Sequence, residues 1–186
     1  MELNDMTQHI DELHAKRDIK ALKHYLNELN PADIAQLLEE IEDERKRIFF
    51  FRLLTKENAA ETFVEFDSDT QENLISAFSD AELKEVLDEL YADDAADIVE
   101  EMPASVVKRI LKNTDLETRK TINTLLKYPD DSAGSIMTTE FVDLKRDMTV
   151  EDAFKRIRRT GVDKETIYTC YITDASRHPV SYTHLT

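Results

Sequence analysis

The sequence contains a repeat of about twelve residues that runs from Asn30 to Leu126. Most of its eight blocks place apolar residues near positions 5, 8, 9 and 12, a spacing that puts them on one face of an α-helix. A helix of roughly two to three turns is marginal alone and must bury its apolar face against neighbours. The repeat therefore predicts a superhelix, or solenoid, of short antiparallel helices. The blocks read NPADIAQLLEEI, EDERKRIFFFRLL, TKENAAETFVEF, DSDTQENLISAF, SDAELKEVLDEL, YADDAADIVEEM, PASVVKRILKNT and DLETRKTINTLL.

Residues that favour the start of a helix open several of these blocks. Asn30 followed by Pro31 predicts an N-cap with proline at the first helical position. Ser79 and Glu82 have the spacing of a capping box. We therefore expect each block to form one helix that is followed by a tight turn.

The amphipathic spacing extends upstream of the repeat, where segments 2–15 and 18–29 are predicted to form a first helical hairpin. Within the repeat, aromatic side chains are interpreted as core between the blocks rather than as a cofactor site. These are Phe49, Phe50, Phe51, Phe63, Phe66 and Phe78.

The composition excludes several classes of function. The chain has 24 basic and 40 acidic residues, and its net charge of −16 repels phosphate backbones, so nucleic-acid binding is not expected. Its single cysteine, Cys170, forms neither an internal disulfide nor a thiolate zinc cluster. The five histidines form no metal-ligand motif, and no phosphate-binding glycine loop or nucleophile elbow is present.

The hydropathy of the chain predicts no membrane-spanning helix. No apolar stretch approaches 18 residues, and Arg47 and Arg52 interrupt the densest one, RIFFFRLL. The amino terminus carries charges throughout and lacks the apolar core of a signal peptide.

The pattern changes after Leu126. The stretch YPDDSAGSI, residues 128–136, is rich in turn-forming and small residues and predicts a linker. Beyond it, FVDL is a strand candidate, TVEDAFKRIRR is a helix opened by Thr149, and ETIYTCYIT alternates like a strand. The overall fold class is therefore mainly α, with a small α/β segment after the superhelix.

These features together resemble the cytosolic part of the MgtE family of magnesium transporters or channels. The resemblance is carried by YPDDSAGSIMTTEFVDLKRDMTVEDAFKRIR at the junction and by DDAADIVEEMP in the repeat. It implies an amino-terminal superhelical domain over 1–127, a linker over 128–136 and a partial cystathionine-β-synthase-like (CBS) domain over 137–186.

The resemblance implies a non-enzymatic Mg2+ sensor on the cytoplasmic face of a membrane protein. In this family, Mg2+ ions bridge acidic residues of the superhelical domain to acidic residues of the CBS domains and a connecting helix, and ion loss allows the pore to open. The matching positions in this chain are Asp93, Asp97 and Glu61. The implied partners are Mg2+ and the rest of the same transporter chain, which the resemblance makes a homodimer.

The residues themselves leave two interpretations of Asp93 and Asp97 open. Their spacing of four puts both carboxylates on one helical face, where like charges repel by about 0.2–0.5 kcal/mol. Acids in a first helical turn are stabilised by the helix dipole, which offsets this repulsion. A carboxylate pair is also a suitable half-site for Mg2+, which is usually held by one or two carboxylates and several waters. Glu57 and Glu61 repeat the same spacing.

The chain departs from the family pattern at its end. A complete CBS motif continues through another apolar strand and a helix, whereas SYTHLT does not resemble that strand and Pro179 disfavours a central one. The motif is therefore expected to be incomplete, the tail after about residue 180 is a candidate non-native segment, and nucleotide binding by the fragment is not expected. A helical-repeat scaffold for protein partners is the alternative function, and an acid-base enzyme ranks third.

Overall fold

Ten short α-helices make up the first part of the computed structural model, which describes residues 3–184 apart from the side chain of Asp163. The helices within the repeat are 8 to 10 residues long, which leaves room for a turn in each block of about twelve. The prediction of a mainly helical, repetitive chain is confirmed. The helices are α1 Leu3–Ala15, α2 Ile19–Leu26, α3 Pro31–Glu39, α4 Glu44–Phe51, α5 Lys56–Glu65, α6 Ser68–Ala77, α7 Asp80–Leu87, α8 Ala92–Glu101, α9 Ala104–Asn113 and α10 Leu116–Leu125.

The described chain divides into two compact units. The first, called the helical unit, comprises residues 3–90 and 94–123, and the second, called the mixed unit, comprises 91–93 and 124–184. Because this division isolates no linker, the domain boundaries expected at residues 127 and 136 stay predictions.

The predicted helix starts are present in the helical unit. Asn30 Oδ1 accepts a hydrogen bond from the Ala32 N–H at 3.0 Å, and Pro31 is the first residue of α3. The Ser79 N–H donates to Glu82 Oε2 at 2.7 Å and the Glu82 N–H donates to Ser79 Oγ at 3.2 Å, which completes the capping box. Each of these bonds satisfies a backbone donor that a helix leaves unpaired at its start.

Alternate helices of the repeat pack side by side. Helix α5 lies between α3 and α7, and α7 also contacts α9. Helix α1 packs against α2, as expected for the first hairpin, although residue 2 of that prediction lies outside the described residues. The core consists of side chains from the apolar positions of the repeat and of this hairpin. Its largest fully buried members are Ile10, Leu22, Leu26, Ile34, Leu37, Leu38, Phe50, Phe63, Leu74, Ile75, Leu83 and Ile110.

The mixed unit contains a three-stranded sheet in the order β1-β2-β3. Strand β1 is parallel to β2, with a helix between them in the chain, and β3 is antiparallel to β2. A small core of Val142, Leu144, Ile157 and Cys170 joins the helix to the sheet. The elements are β1 Phe141–Lys145, α11 Val150–Thr160, a 3-10 turn over Gly161–Asp163, β2 Thr166–Thr173 and β3 Pro179–His184.

Strand β3 corrects the expectation that SYTHLT is not a strand. Residues 181–184 belong to it, and residues 185–186 of the predicted tail lie outside the described residues. All six residues of β3 are exposed, so the strand lacks the apolar alternation that the prediction required. Pro179 is its first residue and β3 lies at the edge of the sheet, where a missing backbone donor is tolerated. Whether the tail is native stays a prediction.

None of the helices within residues 3–184 is long and apolar enough to cross a bilayer.

Candidate metal centre

Helix α8 carries acidic side chains on one side and its apolar residues on the other. Asp93, Asp97 and Glu101 follow one another at intervals of four and therefore lie along one side of the helix. The residues that face the core are Ala92, Ala95, Ala96, Ile98 and Val99. Because this burial fixes the rotation of α8, Asp97 and Glu101 are held on its exposed side.

The two predicted aspartates differ in their environment. Asp93 is half-buried and its Oδ1 atom is shielded from solvent, whereas Asp97 is exposed. Asp93 belongs to the mixed unit and Asp97 to the helical unit. Both lie on α8, so the geometry of this one helix sets the distance between them. Helical geometry separates their Cβ atoms by about 5–6 Å, a distance from which two carboxylates can reach one hydrated cation.

The electrostatics of this face are unfavourable for an ionised Asp97. Although the residue as a whole is exposed, partial burial of its carboxyl raises the pKa of Asp97, and repulsion from Glu101 raises it further. A bound cation would relieve both effects, because it replaces lost water and neutralises negative charge. The arrangement is therefore suited to a cation ligand.

The raised pKa gives a pH-dependent prediction for stability without divalent ions. In wild type, ionised Asp97 destabilises the folded state above its folded pKa, and this penalty disappears as the pH falls toward the ordinary value of 3.8. Asp97→Asn should therefore raise the free energy of unfolding near about pH 7 by less than about 1 kcal/mol, since the side chain is exposed. The gain should shrink toward about pH 4, as measured by denaturant unfolding at both pH values. A gain that grew on acidification would contradict this assignment.

Glu101 is a member of the acidic side that the sequence analysis did not single out. Its Oε2 atom accepts a hydrogen bond from the Ser68 hydroxyl at the start of α6. Its spacing of four from Asp97 is a usable signal, because it continues the row of acids that Asp93 and Asp97 begin. Because Glu101 raises the pKa of Asp97, it belongs to the electrostatic environment of the candidate site.

The structure does not bring Glu61 to the two aspartates. Glu61 lies exposed on α5, which packs between α3 and α7, and Glu57 lies one turn before it on the same helix. Within residues 3–184, no three His, Cys, Asp or Glu side chains converge so as to hold one metal ion. Among the described residues, Asp93, Asp97 and Glu61 therefore do not form one three-ligand group.

Asp143 is an acidic residue whose negative charge is balanced by neighbouring basic side chains. Burial alone would raise its pKa, but hydrogen bonds from Arg156 and Lys145 lower the pKa below its ordinary range. The Lys145 Nζ atom lies 3.0 Å from Asp143 Oδ2. Asp143 is therefore already neutralised by protein cations, in contrast to Asp97.

The chain resembles known magnesium transport proteins in both sequence and structure. A family model described as the MgtE intracellular N domain matches residues 29–131, a range that includes both aspartates and Glu61. The magnesium transporter MgtE of Thermus thermophilus is 33% identical over 161 residues, which cover 84% of this chain and 35% of that protein. The magnesium transporter MgtE of Bacillus subtilis is 25% identical over 162 residues, which cover 87% of this chain and 36% of that protein. The chain thus spans about a third of the length of these relatives.

Two solved structures share the fold. The cytosolic domain of the Mg2+ channel MgtE in complex with ATP has a TM-score of 0.87 and 31% sequence identity, and the match covers 96% of this chain and 73% of that chain. The soluble part of a magnesium transporter has a TM-score of 0.86 and 24% identity, with coverage of 98% and 72%, and supports the fold alone. The named relatives are transporters and a channel rather than enzymes, so the prediction of a non-enzymatic chain is confirmed.

Proposed function

The chain belongs to the MgtE intracellular N domain family, and from this membership we propose that it is the cytosolic Mg2+-sensing region of a magnesium transporter or channel. In this proposal Asp93 and Asp97 hold Mg2+ as a half-site, and Glu61 contributes to a second, separate position. The observation that carries the proposal is the carboxylate pair on one side of α8, with the pKa of Asp97 raised by its surroundings.

The chemistry of Mg2+ fits such a half-site. The ion prefers oxygen ligands in octahedral geometry, loses its water reluctantly, and is usually held by one or two carboxylates with several waters. Asp93 and Asp97 would supply two ligand positions or accept hydrogen bonds from bound waters. With so few protein ligands we expect weak binding, on the order of millimolar, which suits a sensor of an abundant ion.

A half-site becomes a switch when the ion binds one arrangement of domains better than another. We propose that acidic residues in the rest of the transporter complete the site and that Mg2+ joins the two acidic surfaces. Without the ion, like charges would separate these surfaces, and the net charge of −16 on this chain would increase that repulsion. In the whole protein this motion would control the pore at the cytoplasmic face of the membrane, within a homodimer that includes CBS domains.

The proposal is tested by an amide chemical-shift titration of the isotope-labelled chain with Mg2+ at constant ionic strength. We expect saturable shifts centred on α8, and we expect Asp97→Asn to weaken binding by about tenfold because it removes one of two charged ligands. The matched control is Asp33→Asn, which removes one first-turn carboxylate from α3 and should leave the titration unchanged.

Two results would contradict the proposal. One is a set of diffuse, non-saturating shifts, which would mean that Mg2+ only screens the acidic surface. The other is an equal effect of Asp97→Asn and Asp33→Asn, which would mean that net charge rather than position matters. Glu61→Gln should weaken only shifts near α5, since Glu61 lies on that helix and forms no three-ligand group with the two aspartates.

A further inference from the structure

A cavity of about 250 Å³ lies in the helical unit between α4, α5 and α7. The cavity is half open, and Thr55 and four charged side chains line it together with five buried apolar side chains of the repeat. The apolar side chains are Phe51, Leu54, Ala59, Phe78 and Val86, which are 3–8% exposed. Ala59 is the smallest of them, and its position on α5 leaves space that a larger residue would fill.

Two ion pairs lie at the mouth of this cavity. Arg52 Nε is 2.7 Å from Glu82 Oε1, and Lys56 Nζ is 3.5 Å from Glu85 Oε1. The side chains of these four residues are 38–61% exposed, so they remain in contact with water. The mouth therefore has two charges of each sign, and each is paired with its opposite.

The aromatic wall is held in place by further rings. The centroids of Phe51 and Phe78 lie 5.5 Å apart, and Phe63 lies 6.4 Å from Phe51 and 6.5 Å from Phe78. These separations are within the range of favourable ring contacts. Since Phe63 is fully buried behind this pair, the wall is preorganised rather than formed when a ligand arrives.

We propose that this cavity binds a small uncharged molecule with a single apolar ring. The volume is sufficient, because an apolar cavity of about 150 Å³ is known to take up benzene. The walls reward the burial of apolar surface. A charged ligand is disfavoured because both cations and both anions at the mouth are already paired, so its charge would have to displace one of these pairs to gain a partner.

Benzyl alcohol is the probe, with benzoate and benzylammonium as charged counterparts of the same ring. In the chain labelled at Leu and Val methyl groups, we expect benzyl alcohol to give saturable shifts at Leu54 and Val86. We expect the two charged probes to bind about tenfold more weakly, a difference that corresponds to about 1.4 kcal/mol.

Ala59→Leu tests the location, because its added atoms occupy the space of the ring. This variant should weaken binding of benzyl alcohol by about tenfold or more. Ala81→Leu is the matched control, since Ala81 is exposed on α7 and does not line the cavity. The control should bind like wild type, and the wild-type titration remains a test if Ala59→Leu does not fold.

Three outcomes would overturn the inference. They are the absence of saturable methyl shifts with benzyl alcohol, equal or tighter binding of either charged probe, and unchanged binding in folded Ala59→Leu. None of them depends on Mg2+, so failure here would leave the proposed function untouched.

Discussion

Replacing Phe63 with alanine is expected to lower the free energy of unfolding by about 3–5 kcal/mol. Its side chain is fully buried on α5, between the helices that the repeat places on either side. The ring contacts both Phe51 and Phe78, so its removal leaves a void at the centre of the aromatic cluster. Denaturant unfolding followed by circular dichroism would measure the loss.

Phe49→Ala is the matched control for this prediction. Phe49 is 36% exposed and lies at the side of α4, where its ring contacts that of His14. Its truncation should cost less than about 1 kcal/mol, because water already reaches the ring. Equal losses for Phe63→Ala and Phe49→Ala would show that the helical unit is not organised around the buried cluster.

Arg109→Met is expected to destabilise the chain by about 2–3 kcal/mol. The Arg109 guanidinium donates hydrogen bonds to the carbonyl oxygens of Ile75 and Phe78, and Nε donates to Asp80 at 3.1 Å. These carbonyls lie at the end of α6, where a helix leaves its acceptors unpaired. Methionine keeps most of the aliphatic volume but cannot donate, so both carbonyls lose a partner.

Lys112→Met separates this effect from the ion pair alone. Lys112 also binds Asp80, at 3.2 Å, but its side chain is 73% exposed and contacts neither carbonyl. We expect a change of about 0–1 kcal/mol, which is typical of exposed pairs. If thermal or denaturant unfolding gave the same loss for both variants, the carbonyl contacts of Arg109 would not matter for stability.

The helical architecture could be predicted from sequence because its determinants are local. Apolar spacing sets which face of each helix is buried, and Asn30 and the Ser79–Glu82 pair set where two of the helices begin. The same local signals predict β1, α11 and β2, since Thr149 caps α11, Val142 and Leu144 alternate inward on β1, and Cys170 is buried on β2. These features need no information about distant parts of the chain.

The errors arose where local pattern and tertiary context differ. The aromatic pattern predicts that Phe49 is in the core, but consecutive helical residues point about 100° apart, so Phe49, Phe50 and Phe51 cannot all face one side. Phe50 and Phe51 are buried and Phe49 is exposed. Strand β3 was missed because an exposed edge strand has no apolar signature.

The candidate site was only partly predictable for a similar reason. The spacing of Asp93 and Asp97 follows from the sequence, whereas whether Glu61 joins them in one ligand group depends on how the helices pack. The contact between Ser68 and Glu101 joins residues 33 positions apart, which no local pattern reveals. Sequence thus predicted the carboxylate pair on α8 and could not predict what surrounds it.

The central claim is tested most directly at the carboxyl group of Asp97. Its pKa can be measured from the side-chain carbon resonance as the pH is varied, with and without Mg2+ at constant ionic strength maintained by Na+. Without Mg2+ the midpoint should lie above the ordinary value of 3.8, and saturating Mg2+ should lower it because the ion favours the ionised form. A midpoint that is the same in Mg2+ and in Na+ would contradict direct binding of Mg2+ by this chain.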